Sequence, residues 1–259
     1  MTKEAAESIS KTVVISGASS GIGAATAVLF SNSGYDVLLL GRNQARLEDV
    51  KSKCNRHVST EVLAFNLNEI ENHKQALLHK LNTLAPLHCL VNNAGIFQSA
   101  AIDSDGLEDW YSQFELNLFS TVKLNKLMWP FLKKAVGSSI VNISSTLGLK
   151  PTSETAAYSA SKAAMINYSI ALAQAGAPFN IRVNCICPGI VDTPIHGYSK
   201  LSADEINKII SDLDQMQPLK RIGKPEEIAK AIYFLGSENS SWTTGSILSV
   251  DGGISILNG

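Results

Sequence analysis

TVVISGASSGIGAATAVLF, residues 12–30, runs from a strand pattern through a glycine-rich turn into a helix pattern. Thr12–Ser16 is a short, β-branched apolar run closed by glycine, which predicts a buried strand. Ile22–Asn32 carries helical spacing. Between them lies Ser16-Gly17-Ala18-Ser19-Ser20-Gly21-Ile22-Gly23. Glycine lets the backbone turn sharply and approach a ligand closely, and a helix start presents free N–H groups with partial positive charge. A strand–loop–helix of this kind is the setting a dinucleotide pyrophosphate needs. The spacing is Gly-x3-Gly-x-Gly rather than Gly-x-Gly-x2-Gly, and a glycine cluster alone fits a simple tight turn as well.

Outward from this stretch the same alternation continues. Strands are expected at Asp36–Leu40, Glu61–Phe65, His88–Val91, Ser139–Ile143, Ile181–Ile186 and Ile247–Val250. Several are nearly continuous apolar runs, as in strands covered on both faces. Helices are expected at Gln44–Asn55, Ile70–Thr83, Glu108–Lys134, Ala157–Ala175 and Pro225–Leu235. The last opens with proline and two glutamates, a sound N-terminal signature. Strand–helix alternation implies an α/β fold, a doubly wound, mostly parallel seven-stranded sheet with helices on both faces. No repeat or linker divides residues 1–259, so one domain is expected. Ile190–Lys224 departs from the alternation, with an amphipathic run at Ala203–Leu213. A lid at about 190–224 is expected there, against an ordinary surface excursion.

The 259 residues are 45% hydrophobic and 17% charged, with a net charge of −1. That composition suits a globular protein and argues against disorder. It carries no basic excess for a nucleic acid or an anionic membrane. No uncharged apolar run reaches the roughly 18 residues that span a bilayer. Cys54, Cys89, Cys185 and Cys187 show no metal-ligand spacing and read as small buried hydrophobes, favouring a reducing compartment; no metal is expected. The polar N-terminus lacks the apolar core of a signal peptide, so a cytoplasmic location is expected.

Two further stretches carry chemistry. Leu40-Gly41-Arg42-Asn43 ends the second strand pattern, where a dinucleotide site reads the adenosine ribose. An acid there would bond a free 2′-hydroxyl; Arg42 instead suits a 2′-phosphate, against the alternative of a solvated surface arginine. NADP(H) is therefore expected over NAD(H). Tyr158-Ser159-Ala160-Ser161-Lys162 begins a helix pattern, and positions i and i+4 lie roughly 5–6 Å apart on one face. A neighbouring ammonium is expected to lower the phenol from its usual pKa near ~10, so that Tyr158 can exchange a proton with a carbonyl oxygen. Ser145, at the end of the fifth strand, could hold that oxygen.

Taken together, Ser16–Gly23, Asn92-Asn93-Ala94-Gly95, Asn117, Ser145, Tyr158-x3-Lys162, Pro188-Gly189 and Asp251-Gly252-Gly253 occur in the order found in the short-chain dehydrogenase/reductases. The chain resembles that superfamily's compact single-domain, Rossmann-like subtype from about residue 11 to its C-terminus. The resemblance implies that Tyr158 is the general acid/base, and that Lys162 tunes it and bonds the nicotinamide ribose. It implies that Ser145 orients the substrate carbonyl and that Asn117 holds a relay water. The implied cofactor set comprises Gly17, Ser19, Ser20, Gly21, Ile22 and Gly23 in the loop, Arg42, Asn66 and Leu67, and Asn93, Ala94 and Gly95. Tyr158, Lys162, Pro188, Gly189, Ile190, Val191 and Thr193 complete it, Thr193 near the carboxamide. It also implies a homo-tetramer, or a dimer, through Glu108–Lys134 and Ala157–Ala175, with Asp251 and its glycines near a subunit contact.

The chain departs from the family pattern in places. Ser16 replaces a threonine, Ser20 stands where many NADP-linked relatives are basic, and Asn66-Leu67-Asn68 replaces an aspartate beside the adenine. Fold does not select the substrate. Acyl-carrier-protein ketoreductases are similar in motif order, yet the two positions where they carry basic docking residues are Val136 and Phe179 here; Lys133 and Lys134 nearby suit a helix end. The expected pocket wall is Ile96, Phe97, Leu147, Ile190, Ile195, His196, Tyr198 and Met216. It suits a medium-sized hydrophobic carbonyl compound, or the matching alcohol. The alternatives are β-keto thioester reduction, a non-catalytic dinucleotide sensor, and, ranked below both, an epimerase.

Overall fold

The apolar run that opens the chain forms β1 (Lys11–Ser16) in the computed structural model, which describes residues 10–100, 106–196 and 202–257. Six more strands follow: β2 (Tyr35–Gly41), β3 (Thr60–Ala64), β4 (Leu87–Asn92), β5 (Ser139–Ile143), β6 (Arg182–Pro188) and β7 (Ile247–Val250). They form one sheet in the order β3-β2-β1-β4-β5-β6-β7. Every pairing is parallel, so the expected mostly parallel sheet is wholly parallel among the described residues. The chain winds outward from β1 to β3 and restarts at β4 on the other side of β1. Loops on the two sides of this switch diverge at the carboxyl ends of the strands and leave a crevice between them.

The helices are α1 (Gly21–Asn32), α2 (Gln44–Lys53), α3 (Ile70–Asn82), α4 (Leu107–Phe114), α5 (Ser120–Leu132), α6 (Ala156–Gly176), α7 (Ala203–Met216) and α8 (Pro225–Gly236). Successive strand residues point to opposite faces. Val13 and Ile15 therefore pack with Phe30 of α1, Leu47 of α2 and Ile232 of α8. Val14 packs with Leu77 of α3, Leu124 and Met128 of α5 and Ala173 of α6. Both faces being covered explains why the strands read as unbroken apolar runs. Each fully buried leucine or phenylalanine contributes roughly 1.5–3 kcal/mol of transfer free energy.

The expected single helix over Glu108–Lys134 is interrupted. Between α4 and α5, Glu115–Phe119 winds as a π-helical turn, and Asn117 lies in it. Such turns disturb the i→i−4 ladder and concentrate at functional sites. Pro130 is accommodated inside α5, which ends at Leu132.

Arg182 at the start of β6 is buried and pins the last turn of α8 and the loop after it. Its guanidinium donates to the carbonyls of Leu235 (2.8 Å) and Ser237 (2.8 Å) and to Ser240 Oγ (2.7 Å). These are carbonyls that a helix end leaves without partners.

The excursion after β6 is tied at its base. Val191 bridges Gly223, with Asp192 N donating to Gly223 O (2.9 Å) and Gly223 N to Ile190 O (2.9 Å). From that base the described chain makes a 3-10 turn at Pro194–His196 and the helix α7, longer than the amphipathic run that announced it. Tyr198 lies outside the described residues, as do the side chains of His196 and Met216.

Candidate active site

A cleft of about 1180 Å³ opens along the carboxyl ends of the strands. Its floor is the glycine loop. Gly17 and Gly21 hold φ of +65° and +52°, a region that L side chains rarely adopt. Gly23 is needed for space: a Cβ there would lie 2.3 Å from the Gly17 carbonyl oxygen. The loop is locked from β4. Ser16 Oγ accepts from the backbone N–H groups of Asn93 and Ala94, both at 3.1 Å, and Asn93 Nδ2 donates to the carbonyls of Ser16 (3.2 Å) and Gly17 (3.1 Å). The serine in place of threonine thus keeps both amide contacts.

Whether this loop fits a dinucleotide is tested by the start of α1. Its N-cap, Ser20, is extended and makes no side-chain cap, so the first-turn N–H groups of α1 are left for another acceptor. Ser19, Ser20, Gly21 and Ile22 line the cleft there. An uncapped helix start at a glycine loop fits a pyrophosphate. Beyond it lie Arg42, Arg46, Phe65, Asn66 and Leu67, a basic and apolar hollow suited to an adenosine. Asn66 Oδ1 accepts from Asn68 N at 3.3 Å and has a second lone pair for a ligand. On the other side Asn93, Ala94, Gly95, Pro188, Gly189, Ile190, Val191 and Thr193 line the same cleft.

Ser145, Tyr158 and Lys162 meet at its far end. Ser145 follows β5 and caps the turn Thr146–Gly148, its Oγ accepting from Leu147 N at 3.1 Å. Tyr158 stands on the first turn of α6 with Phe97 edge-on to its ring, centroids 4.9 Å apart. One turn on, Lys162 Nζ lies 5.7 Å from the Tyr158 ring centroid and donates to the Ile143 carbonyl at 3.0 Å. Ser144 serves the backbone: its Oγ donates to the Lys162 carbonyl at 2.8 Å, fixing α6 on the strand end.

The electrostatics correct one expectation. Burial pushes the Tyr158 phenol up to about 12, with the Ser145 hydroxyl beside it pulling down, and brings the Lys162 ammonium down to about 8. The lowering of Tyr158 that the i, i+4 spacing predicts is thus overridden. Both groups lose water, and the ammonium is turned to the Ile143 carbonyl.

Two expected site residues do not line the cleft. Gly23 packs beneath the loop. Asn117 sits behind Gly95, whose Cβ would lie 3.1 Å from Asn117 Oδ1 and 3.4 Å from Lys162 Nζ. The Asn117 amide is engaged, accepting from Ile96 N (2.8 Å) and donating to Ile96 O (3.1 Å) and Ser161 Oγ (3.1 Å). Of the expected pocket wall, Ile96, Phe97, Leu147, Ile190 and Ile195 are in place. The sequence reading missed Arg46, Lys150, Pro151, Thr152, Thr155 and the C-terminal Ile254, Ser255 and Leu257, which also line it. Arg46 was within reach of the sequence, lying four positions after Arg42 in the first turn of α2; nothing local marks the C-terminal residues.

Comparison with known proteins agrees with this geometry. A family profile described as Enoyl-(Acyl carrier protein) reductase matches residues 17–255. The chain is 36% identical over 251 residues to the 3-oxoacyl-(acyl-carrier-protein) reductase FabG of Chlamydia trachomatis serovar D, covering 95% of this chain and 98% of that one. It is 34% identical over 248 residues to carbonyl reductase family member 4 of Xenopus laevis, covering 96% and 99%. A crystal structure of a short-chain dehydrogenase/reductase of unknown function from Caenorhabditis elegans, with cofactor, superposes with a TM-score of 0.88 at 30% identity over 97% of each chain. With a nicotinamide-dinucleotide type of loop, a Ser–Tyr–Lys cluster and full-length relatives of this kind, the chain belongs to the short-chain dehydrogenase/reductase superfamily and is an oxidoreductase of carbonyl and alcohol groups.

Proposed function

We propose that the protein is an NADP(H)-linked reductase of a medium-sized carbonyl compound, or in reverse a dehydrogenase of the matching secondary alcohol. The observation that carries this reading is a single cleft with an uncapped helix start and two arginines at one end and Ser145, Tyr158 and Lys162 at the other. When bound, the nicotinamide supplies or receives the hydride. Gly17, Ser19, Ser20, Gly21 and Ile22 would hold its pyrophosphate, Asn66 and Leu67 its adenine, and Ile190, Val191 and Thr193 its nicotinamide end.

The protein's own groups handle the oxygen. Ser145 Oγ donates a hydrogen bond to the substrate oxygen and stabilises charge that develops there. Tyr158, held protonated by burial, is in the form a general acid needs and gives up its proton to that oxygen. Lys162, brought down to about 8, can pass a proton to the phenolate near neutrality, where an ordinary lysine holds its own too tightly. Asn117, fixed by Ile96 and Ser161, positions the wall that carries Gly95 against Lys162. An NADPH-oxidation screen over ketones, aldehydes, quinones and β-keto thioesters tests the reading; absence of turnover throughout refutes it.

The pH dependence has a definite sign. Lys162 loses its proton as pH rises through about 8, whereas Tyr158 at about 12 stays protonated over that range. Reductive kcat/KM is therefore expected to be level below pH 8 and to fall above it, about tenfold per unit. A steady-state pH profile that rises through 8 refutes the assignment to Lys162.

Preference for NADP(H) rests on Arg42 and Arg46, both on the cleft wall at the adenosine end. Replacing both by alanine is expected to weaken NADPH about tenfold or more and to leave NADH unchanged, read by fluorescence titration. Equal losses for the two cofactors overturn the preference.

A second reading, reduction of a β-keto thioester on an acyl carrier, has one observation in its favour. Lys133 Nζ lies 3.8 Å over the ring of exposed Phe179, which places a cation on that patch although Phe179 and Val136 are not basic. Higher kcat/KM on the carrier-bound substrate in the same screen would select it. Assembly as a homo-tetramer is supported by exposed Leu107, Tyr111, Phe119 and Ile170 along α4, the π turn and α6; light scattering reads it directly.

A further inference from the structure

We propose that the carbonyl substrate also bears a carboxylate, and that Lys150 receives it. The inference rests on the carbonyl-reductase reading and names its substrate class. The cleft wall is one-sided in charge. Among the described residues it holds Arg42, Arg46, Lys150 and Lys162 and no carboxylate, in a chain whose net charge is −1. Three of these cations have employment: the arginines at the adenosine end and Lys162 beside Tyr158. Lys150 is assigned no part in cofactor binding or proton transfer, and it follows Ser145 on the same segment of the cleft wall.

The C-terminus holds it there. After β7 the chain returns across the cleft as the turn Ile254–Ile256. The Asp251 carboxylate fixes that turn by accepting from Gly253 N and Ser255 N, both at 3.0 Å. Lys150 Nζ then donates to the Leu257 carbonyl at 2.9 Å, across 107 positions of sequence. Among the described residues Lys150 makes no ion pair. An ammonium has three donors, and the Leu257 carbonyl takes one. Phe97, Leu147, Ile195 and Ile254 line the same cleft and offer apolar wall for a carbon skeleton. Among the described cleft-lining residues the other cations are Arg42, Arg46 and Lys162, assigned to the cofactor and to Tyr158; the single ammonium of Lys150 balances one negative charge, which fits a carboxylate rather than a dianionic phosphate.

The test uses straight-chain keto acids, levulinate the shortest, each beside its methyl ester, with NADPH as reductant. Lys150 is exposed, so the expected result is a kcat/KM about threefold to fivefold higher for the acid, expressed in KM. Lys150→Met is expected to bring the acid-to-ester ratio down by about the same factor and Lys150→Arg to keep it. A ratio that Lys150→Met leaves unchanged overturns the proposal, because loosening of the C-terminal turn would slow acid and ester alike. Preference for a pantetheine thioester over every acid overturns it too. A binding arm separates this inference from the reading beneath it: levulinate and methyl levulinate are titrated onto the NADPH-loaded Tyr158→Phe protein. Acid-selective, Lys150-dependent binding without wild-type turnover of any carbonyl supports Lys150 and refutes the reductase. Turnover of esters without acid-selective binding does the reverse.

Discussion

Tyr158→Phe is expected to lower kcat for carbonyl reduction by about a thousandfold and to leave NADPH affinity within about a factor of two. The substitution removes one hydroxyl and keeps the ring that packs edge-on to Phe97. No cavity opens, because phenylalanine fills the same buried volume. In the proposed mechanism the lost oxygen is the one whose proton the substrate takes, and Ser145 does not replace it. As a hydrogen-bond donor Ser145 polarises the carbonyl, whereas Tyr158 has Lys162 one turn along its helix to resupply a proton. Single-turnover kinetics with NADPH in excess isolate the chemical step, and fluorescence titration reads the cofactor separately. Retention of more than about a tenth of the wild-type rate refutes Tyr158 as the acid.

Arg182→Ala is expected to cost about 3–5 kcal/mol of stability and about 10 °C in Tm. The guanidinium is buried and bonds two carbonyls and a hydroxyl at 2.8 Å or less, with Thr243 O at 3.4 Å. Alanine removes the charged donor from the buried Leu235 and Ser237 carbonyls and leaves them only their contacts to Ser240, and a hydrogen bond from a charged group is worth roughly 1.5–3 kcal/mol. It also removes a cation from the C-terminus of α8, where the helix dipole favours one. Arg182→Lys keeps the charge but reaches fewer of the four acceptors, so an intermediate loss is expected. Urea unfolding of the three proteins measures the series; a loss below about 1 kcal/mol for alanine would falsify this account of the β6–α8 junction. Function is expected to follow, since β6 leads directly into Pro188–Thr193 on the cleft wall.

These two residues differ in how visible they are in the sequence. Tyr158 and Lys162 announce themselves by i, i+4 spacing at a helix start. Arg182 looks like any charged residue bordering a strand, and its partners lie more than fifty positions away. The π turn at Glu115–Phe119 is also silent, because the sequence there continues the helical pattern on both sides. The pocket lining shows the same division. Ile96, Phe97 and Leu147 follow strand ends and could be assigned to the crevice in advance. Lys150 and Ile254–Leu257 reach it through the return of the C-terminus, which no local pattern encodes.

The sequence by itself determined the alternation of strands and helices, the glycine loop at the first turn and the pairing of Tyr158 with Lys162, because each is a short-range signal of period, turn chemistry or helical spacing. Tertiary structure alone decided that every strand runs parallel, that Asn117 stands behind Gly95, and that the C-terminal turn walls the cleft. It also decided the protonation of Tyr158 and Lys162. Burial is a sum over segments distant in the chain, and that sum, which keeps Tyr158 neutral and brings Lys162 to about 8, outweighs the local effect of one charge on its neighbour.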